Sequence, residues 1–79
     1  MRLDKYLKVS RLIKRRTVAN EACDAGRVTV NDKVARASYE VKVGDKIALT
    51  LGTREVAVEV VSIQETVAKN DAALLYKVL

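Results

Sequence analysis

Seven residues near the start of the chain carry side chains suited to gripping a polyanion: Arg2, Lys5, Arg11, Lys14, Arg15, Arg16 and Thr17. Arginine offers five N–H donors in a planar fork that matches phosphate, lysine a mobile point charge, and threonine a hydroxyl. Arg11, Lys14, Arg15 and Arg16 crowd the start of a helix predicted over about Arg15 to Ala25. Free N–H groups and the dipole at a helix N-terminus already favour anions, so these cations with the Thr17 hydroxyl predict a phosphate site. Bond-making chemistry has little to work with. The chain has no His, hence no imidazole base, His ligand or triad. Its one Cys can form neither an internal disulfide nor a Cys-rich zinc site. Cys23 reads as a core residue, since a reactive thiol needs exposure and an electropositive setting. Asp4 stands alone among basic neighbours. It reads as a first-turn residue complementing the dipole, or as an ion-pair partner that orients an arginine. No catalytic residue, metal or cofactor is expected, and the chain reads as a binder, not an enzyme.

The charge is unevenly spread. Over 79 residues the net charge is +5, but residues 1–37 hold ten basic side chains against four acidic ones. The first half therefore carries +6 and the second half −1. Clustering of one sign is the electrostatic footprint of a polyanionic partner, whereas a merely solubilising surface intersperses signs. With 49% hydrophobic residues the chain has enough apolar surface to fold, and its length suits one domain spanning 1–79. No apolar run approaches the roughly 18 residues of a membrane span, and the N-terminus is charged from Arg2 onward. A cytoplasmic chain without membrane contact is expected, consistent with its single Cys.

The elements that position the cations follow from periodicity. Residues 2–10 predict a short helix with Leu3, Tyr6, Leu7 and Ser10 on one face, opposite Arg2, Lys5 and Lys8. In the second helix Val18, Ala19, Ala22, Cys23 and Ala25 form the expected buried stripe, and Gly26 suits the left-handed stop. Small residues on that stripe let the two helices approach closely. After Gly26 the period falls to two. Val28–Val30, the Asn31–Asp32 turn and Lys33–Ala35 predict a hairpin. Val41 and Val43 lead into a Gly44–Asp45 turn. Ile47, Leu49 and Leu51 alternate outward from it, and Val56, Val58 and Val60 alternate after Gly52–Thr53 up to Ile63. Asn70–Asp71 resembles an N-cap for a short terminal helix, with Ala72, Leu75, Tyr76 and Leu79 on one side. Two packed helices, a small antiparallel sheet and a short C-terminal helix make an α+β fold.

The partner can be narrowed. Past its start the second helix exposes Thr17, Asn20, Glu21 and Asp24, and its two acids oppose insertion into a DNA major groove. The aromatic residues are three tyrosines, too few for the stacking platforms of single-strand binders. Tyr6 and Tyr76 read as packing residues with hydroxyls at the rim of the core. Recognition through shape and backbone suits structured RNA.

Arg2-Leu3-Asp4-Lys5-Tyr6-Leu7, Lys14-Arg15-Arg16-Thr17-Val18-Ala19 and Gly26-Arg27-Val28-Thr29-Val30-Asn31 together resemble the S-four RNA-binding domain, and Val43-Gly44-Asp45-Lys46-Ile47 matches its turn before the next strand. The run Leu7 to Thr17 is most similar to standalone domains of the RqcP family in bacterial ribosome-associated quality control, relatives of the fifteen-kilodalton heat-shock ribosome-recycling protein. The resemblance implies binding to large-subunit rRNA and peptidyl-tRNA on a split large ribosomal subunit. It further implies tRNA held in the P-site position while an RqcH-type protein adds an alanine tail. Arg2 and Arg16 match the RNA-facing arginines of the motif, whereas Lys5, Arg11, Lys14 and Arg15 fit from charge and placement. Asp32 stands where the family usually has Gly, and the chain lacks the long basic extension of the heat-shock relative. The second departure favours quality control over a general rRNA-binding recycling role. A duplex-DNA-binding regulator is the alternative from another class.

Overall fold

The computed structural model describes residues 1–64 and 69–79. α1 (Leu3–Val9) starts after Arg2 and stops at Ser10, and Leu3, Tyr6, Leu7 and Ser10 are all buried as their spacing requires. α2 (Arg16–Asp24) buries Ala19, Ala22 and Cys23 against α1 and the first strand. Val18 and Ala25 do not join that stripe. Val18 is 44% exposed and Ala25 is the exposed C-cap. A nine-residue helix touching its neighbours through small side chains buries only a narrow arc, which Ala19, Ala22 and Cys23 fill at i, i+3 and i+4.

Gly26 reverses the chain at φ +75°, and the period-2 segment follows. β1 (Val28–Val30) and β2 (Lys33–Val34) pair across Asn31 and Asp32, at φ 52° and 69°. Two consecutive positive φ values define a type I′ turn, whose twist matches the flanking strands. β3 (Lys46–Leu51) pairs with β1 and with β4 (Arg54–Val60), and the antiparallel order is β2-β1-β3-β4-β5, where β5 is Tyr76–Val78. Val28, Val30, Ile47, Leu49, Val58 and Val60 face the helices and are buried with Leu3, Tyr6 and Leu7.

Two expectations about the C-terminal half are corrected. β4 ends at Val60, short of Ile63, because the N–H groups of Val61 and Ser62 turn to the Leu75 carbonyl at 2.9 and 3.1 Å. In place of the expected short C-terminal helix running on through Tyr76 to Leu79, a 3-10 helix over Lys69–Leu75 gives way to β5. β4 offers an unpaired edge, and Tyr76, Lys77 and Val78 take it opposite Val60, Glu59 and Val58. Tyr6 also departs from expectation. Its hydroxyl is not at the rim; it is fully buried and donates to the Leu75 carbonyl at 2.8 Å.

Candidate nucleic-acid interface

Asp4 organises the basic end of the molecule. It lies in the first turn of α1, is 2% exposed, and accepts the Lys5 backbone N–H at 2.8 Å, an anchor within its own helix turn. Its oxygens also accept Arg2 Nε at 3.2 Å and Nη2 at 3.4 Å, Arg16 Nη2 at 3.5 Å and Asn20 Nδ2 at 3.3 Å, and Arg16 Nε forms an ion-pair contact at 3.4 Å. Burial alone would raise the Asp4 pKa. Hydrogen bonds from Asn20, Arg16 and the Lys5 N–H, with the Arg16 charge, outweigh burial and hold it below its ordinary value. Asp4 is therefore an anion at neutral pH, locked between two cations from different elements.

This arrangement leaves positive charge to spare. One carboxylate meets two guanidiniums, and the side chains of Arg2 and Arg16 remain 49% and 47% exposed. Each turns Nε and Nη2 toward Asp4, which leaves three of the five N–H donors of each fork uncommitted to it. The geometry can present two oriented forks to one phosphate or to neighbouring phosphates. Thr17 lines the same shallow groove of about 380 Å³ with Asp4, Arg16, Asn20 and Glu21. Arg15 is the N-cap of α2 and makes no side-chain cap bond, which leaves the first-turn N–H groups open.

The other candidate cations are placed differently. Lys5 is half-buried on α1, while Arg11, Lys14 and Arg15 lie exposed on the connection into α2. Among the described residues no ion pair ties Arg11, Lys14 or Arg15 to the Asp4 cluster. Sequence reasoning left out Asn20, which holds the far side of Asp4. Its i, i+4 spacing from Arg16 was the available signal, because those two positions share a helix face.

Outside this cluster Cys23 and Asp45 serve the fold. Burial first, then Asp4 and Asp24, push the Cys23 thiol up to about 11, so it is a protonated packing group. Asp45 accepts Tyr39 Oη at 2.8 Å, the Lys42 N–H at 2.9 Å and Asn31 Nδ2 at 3.1 Å, tying the hairpin turn to the loop before β3. Among the described residues no group of three His, Cys, Asp or Glu could hold a metal, and no helix is long and apolar enough to cross a membrane.

A family model for the S4 domain matches residues 1–47. The chain is also 55% identical over 78 residues to an RQC P-site tRNA stabilizing factor of Halalkalibacterium halodurans, covering 99% of this chain and 89% of that protein. The chain belongs to the S4 domain family, with the RQC P-site tRNA stabilizing factors. A factor of that name from Bacillus subtilis is 49% identical over 79 residues, covering 100% of this chain and 92% of its own length. The solved trimeric structure of Vibrio cholerae Heat Shock Protein 15 superposes with a TM-score of 0.93 at 30% identity, covering 100% of this chain and 81% of that one. The S4 match spans α1, α2, β1 and β2 and so contains every candidate cation together with Asp4 and Asn20. β4 and β5 lie beyond it, and the resemblance to Heat Shock Protein 15 extends the S4 fold across them.

Proposed function

We propose that this chain is a non-catalytic, cytoplasmic RNA-binding factor of ribosome-associated quality control. It binds large-subunit rRNA and peptidyl-tRNA on split large ribosomal subunits. There it steadies the P-site tRNA while an RqcH-type protein extends the stalled peptide with alanine. The observation that carries this reading is the pair of half-exposed arginines, Arg2 and Arg16, oriented on one buried carboxylate inside an S4 domain. The names of the similar full-length factors support the ribosomal setting. Arg11, Lys14, Arg15, Lys5 and Thr17 complete the interface in this reading. Bond-making is left to the partner.

The test is RNA cross-linking in cells followed by sequencing, with wild type and Arg16→Ala. Enrichment of one large-subunit rRNA segment together with tRNA is expected for wild type. Arg16→Ala should lose most of that signal while staying folded, with Tm lowered by no more than roughly 4–8 °C, because a half-exposed ion pair contributes at most about 1 kcal/mol. Recovery of scattered mRNA or of DNA overturns the ribosomal reading. The superposition on Heat Shock Protein 15 favours a second reading, a general rRNA-binding recycling factor. Enrichment of rRNA without tRNA in the same experiment selects it.

A further inference from the structure

α1 ends in a left-handed turn. Ser10 caps the helix, Arg11 follows at φ 62°, and its N–H donates to the Lys8 carbonyl at 3.1 Å. The Leu7 carbonyl is then taken by the Ile13 N–H at 3.1 Å. The residue after a helix cap is most often Gly, because a Cβ in the left-handed region crowds the next carbonyl oxygen. The described residues hold six positive-φ positions. Gly26, Gly44 and Gly52 occupy three, and Asn31 and Asp32, types that tolerate this region, occupy two. Arg11 alone is a long side chain without that tolerance.

Nothing in the fold repays this placement. Arg11 is exposed, and among the described residues no carboxylate pairs with it. Lys8 already supplies a cation to the last turn of α1, where the dipole favours one. Position in the interface is a different matter. The turn opens the exposed connection that runs through Lys14 and Arg15 to Arg16, so Arg11 belongs to the basic segment leading into α2. Strain of this kind persists at binding sites when the side chain it carries is used there. We propose that Arg11 contacts an RNA phosphate and is kept at a backbone position its own side chain strains, so that binding and stability oppose each other at this residue. The inference rests on the RNA-binding reading above, which already places Arg11 in the interface, and deepens it: loss of this contact leaves the fold sounder.

The test compares Arg11→Gly, Arg11→Asn and Arg11→Lys, reading melting temperature and affinity for purified large ribosomal subunits carrying peptidyl-tRNA over a salt series. Gly and Asn should raise Tm by roughly 2–5 °C, through relief of strain and of repulsion within the basic cluster. The same two variants should bind roughly five- to tenfold more weakly, with a salt slope shallower by about one. Arg11→Lys should keep the wild-type Tm and most of the affinity. A lower Tm in both Gly and Asn variants overturns the proposal, since the guanidinium would then be serving the fold. Unchanged affinity and slope in those variants, with Arg16→Ala weakened, overturn it while the RNA-binding reading survives. Failure of the wild type to bind these subunits overturns that reading itself.

Discussion

At the residue scale the decisive group is an acid in a basic site. Asp4 carries the sign opposite to its partner's requirement, yet it holds Arg2, Arg16 and Asn20 in register. Replacing it by Asn makes the molecule more positive, and charge alone would then tighten RNA binding. Orientation predicts the reverse. Asp4→Asn should bind large subunits several-fold more weakly and lose about 1–2 kcal/mol of stability at neutral pH, as a buried hydrogen-bonded anion surrounded by half-exposed partners should. Acid titration checks the same group. Asp4 and Asp45 both sit below their ordinary value of 3.8, because hydrogen bonds to each carboxylate outweigh burial. A depressed folded pKa gives stabilisation that is complete above the unfolded value and lost as pH falls through the folded one. Wild-type Tm should therefore hold down to about pH 4 and then fall. Asp4→Asn should start lower and fall less, and a parallel curve would count against the role assigned to Asp4. The arginines were legible in the sequence from charge and motif. The role of Asp4 was half legible, as one of two readings, because which arginine an acid meets depends on how two helices pack.

Elements show the same division between local and distant causes. The hairpin turn was readable because Asn31 and Asp32 are types that accept positive φ. The helix stop at Gly26 was readable for a similar reason. The terminal strand was not. Ala72, Leu75, Tyr76 and Leu79 repeat at helical spacing, and three strand residues are too few to display a period of two. The free edge of β4, distant in sequence, decides the outcome. A second non-local contact secures it. The Leu75 carbonyl accepts the Tyr6 hydroxyl as well as the N–H groups of Val61 and Ser62. Burial first, and then the neighbouring Tyr76, raise the Tyr6 pKa, so that hydroxyl remains a donor across the range in which the protein works. Tyr6→Phe keeps the packed ring and removes one of three donors. It should cost about 1 kcal/mol, which for a domain of this size lowers Tm by roughly 4–8 °C. Hydrogen exchange should show the loosening at the amides of Val61, Ser62 and β5, with α2 unaffected. An unchanged Tm would mean that the two backbone donors suffice.

On the scale of the whole molecule, fold and charge are arranged so that one end meets the polyanion. The sheet lacks the means to do so. Along its outer face Lys46, Glu59 and Lys77 sit opposite one another in register, alternating in sign across three strands. The helical end holds its surplus on the far side of the core, with Arg2 and Arg16 aimed by Asp4 and more cations on the α1–α2 connection. Binding should therefore depend on salt through the helical end alone. If about five phosphates are neutralised there, log affinity falls against log salt with a slope of roughly −3.5 to −4.5, the range between single-stranded and duplex backbones. Removing one contacting cation, as in Arg16→Ala, should make the slope shallower by about one. Removing an exposed cation of the sheet, as in Arg54→Ala, should leave the slope where it was, although the net charge changes by the same amount. Equal effects from the two variants would show that the RNA responds to total charge, and that orientation by the fold contributes nothing. A difference confined to the helical end would show that the fold concentrates a modest net charge of +5 into a directed surface.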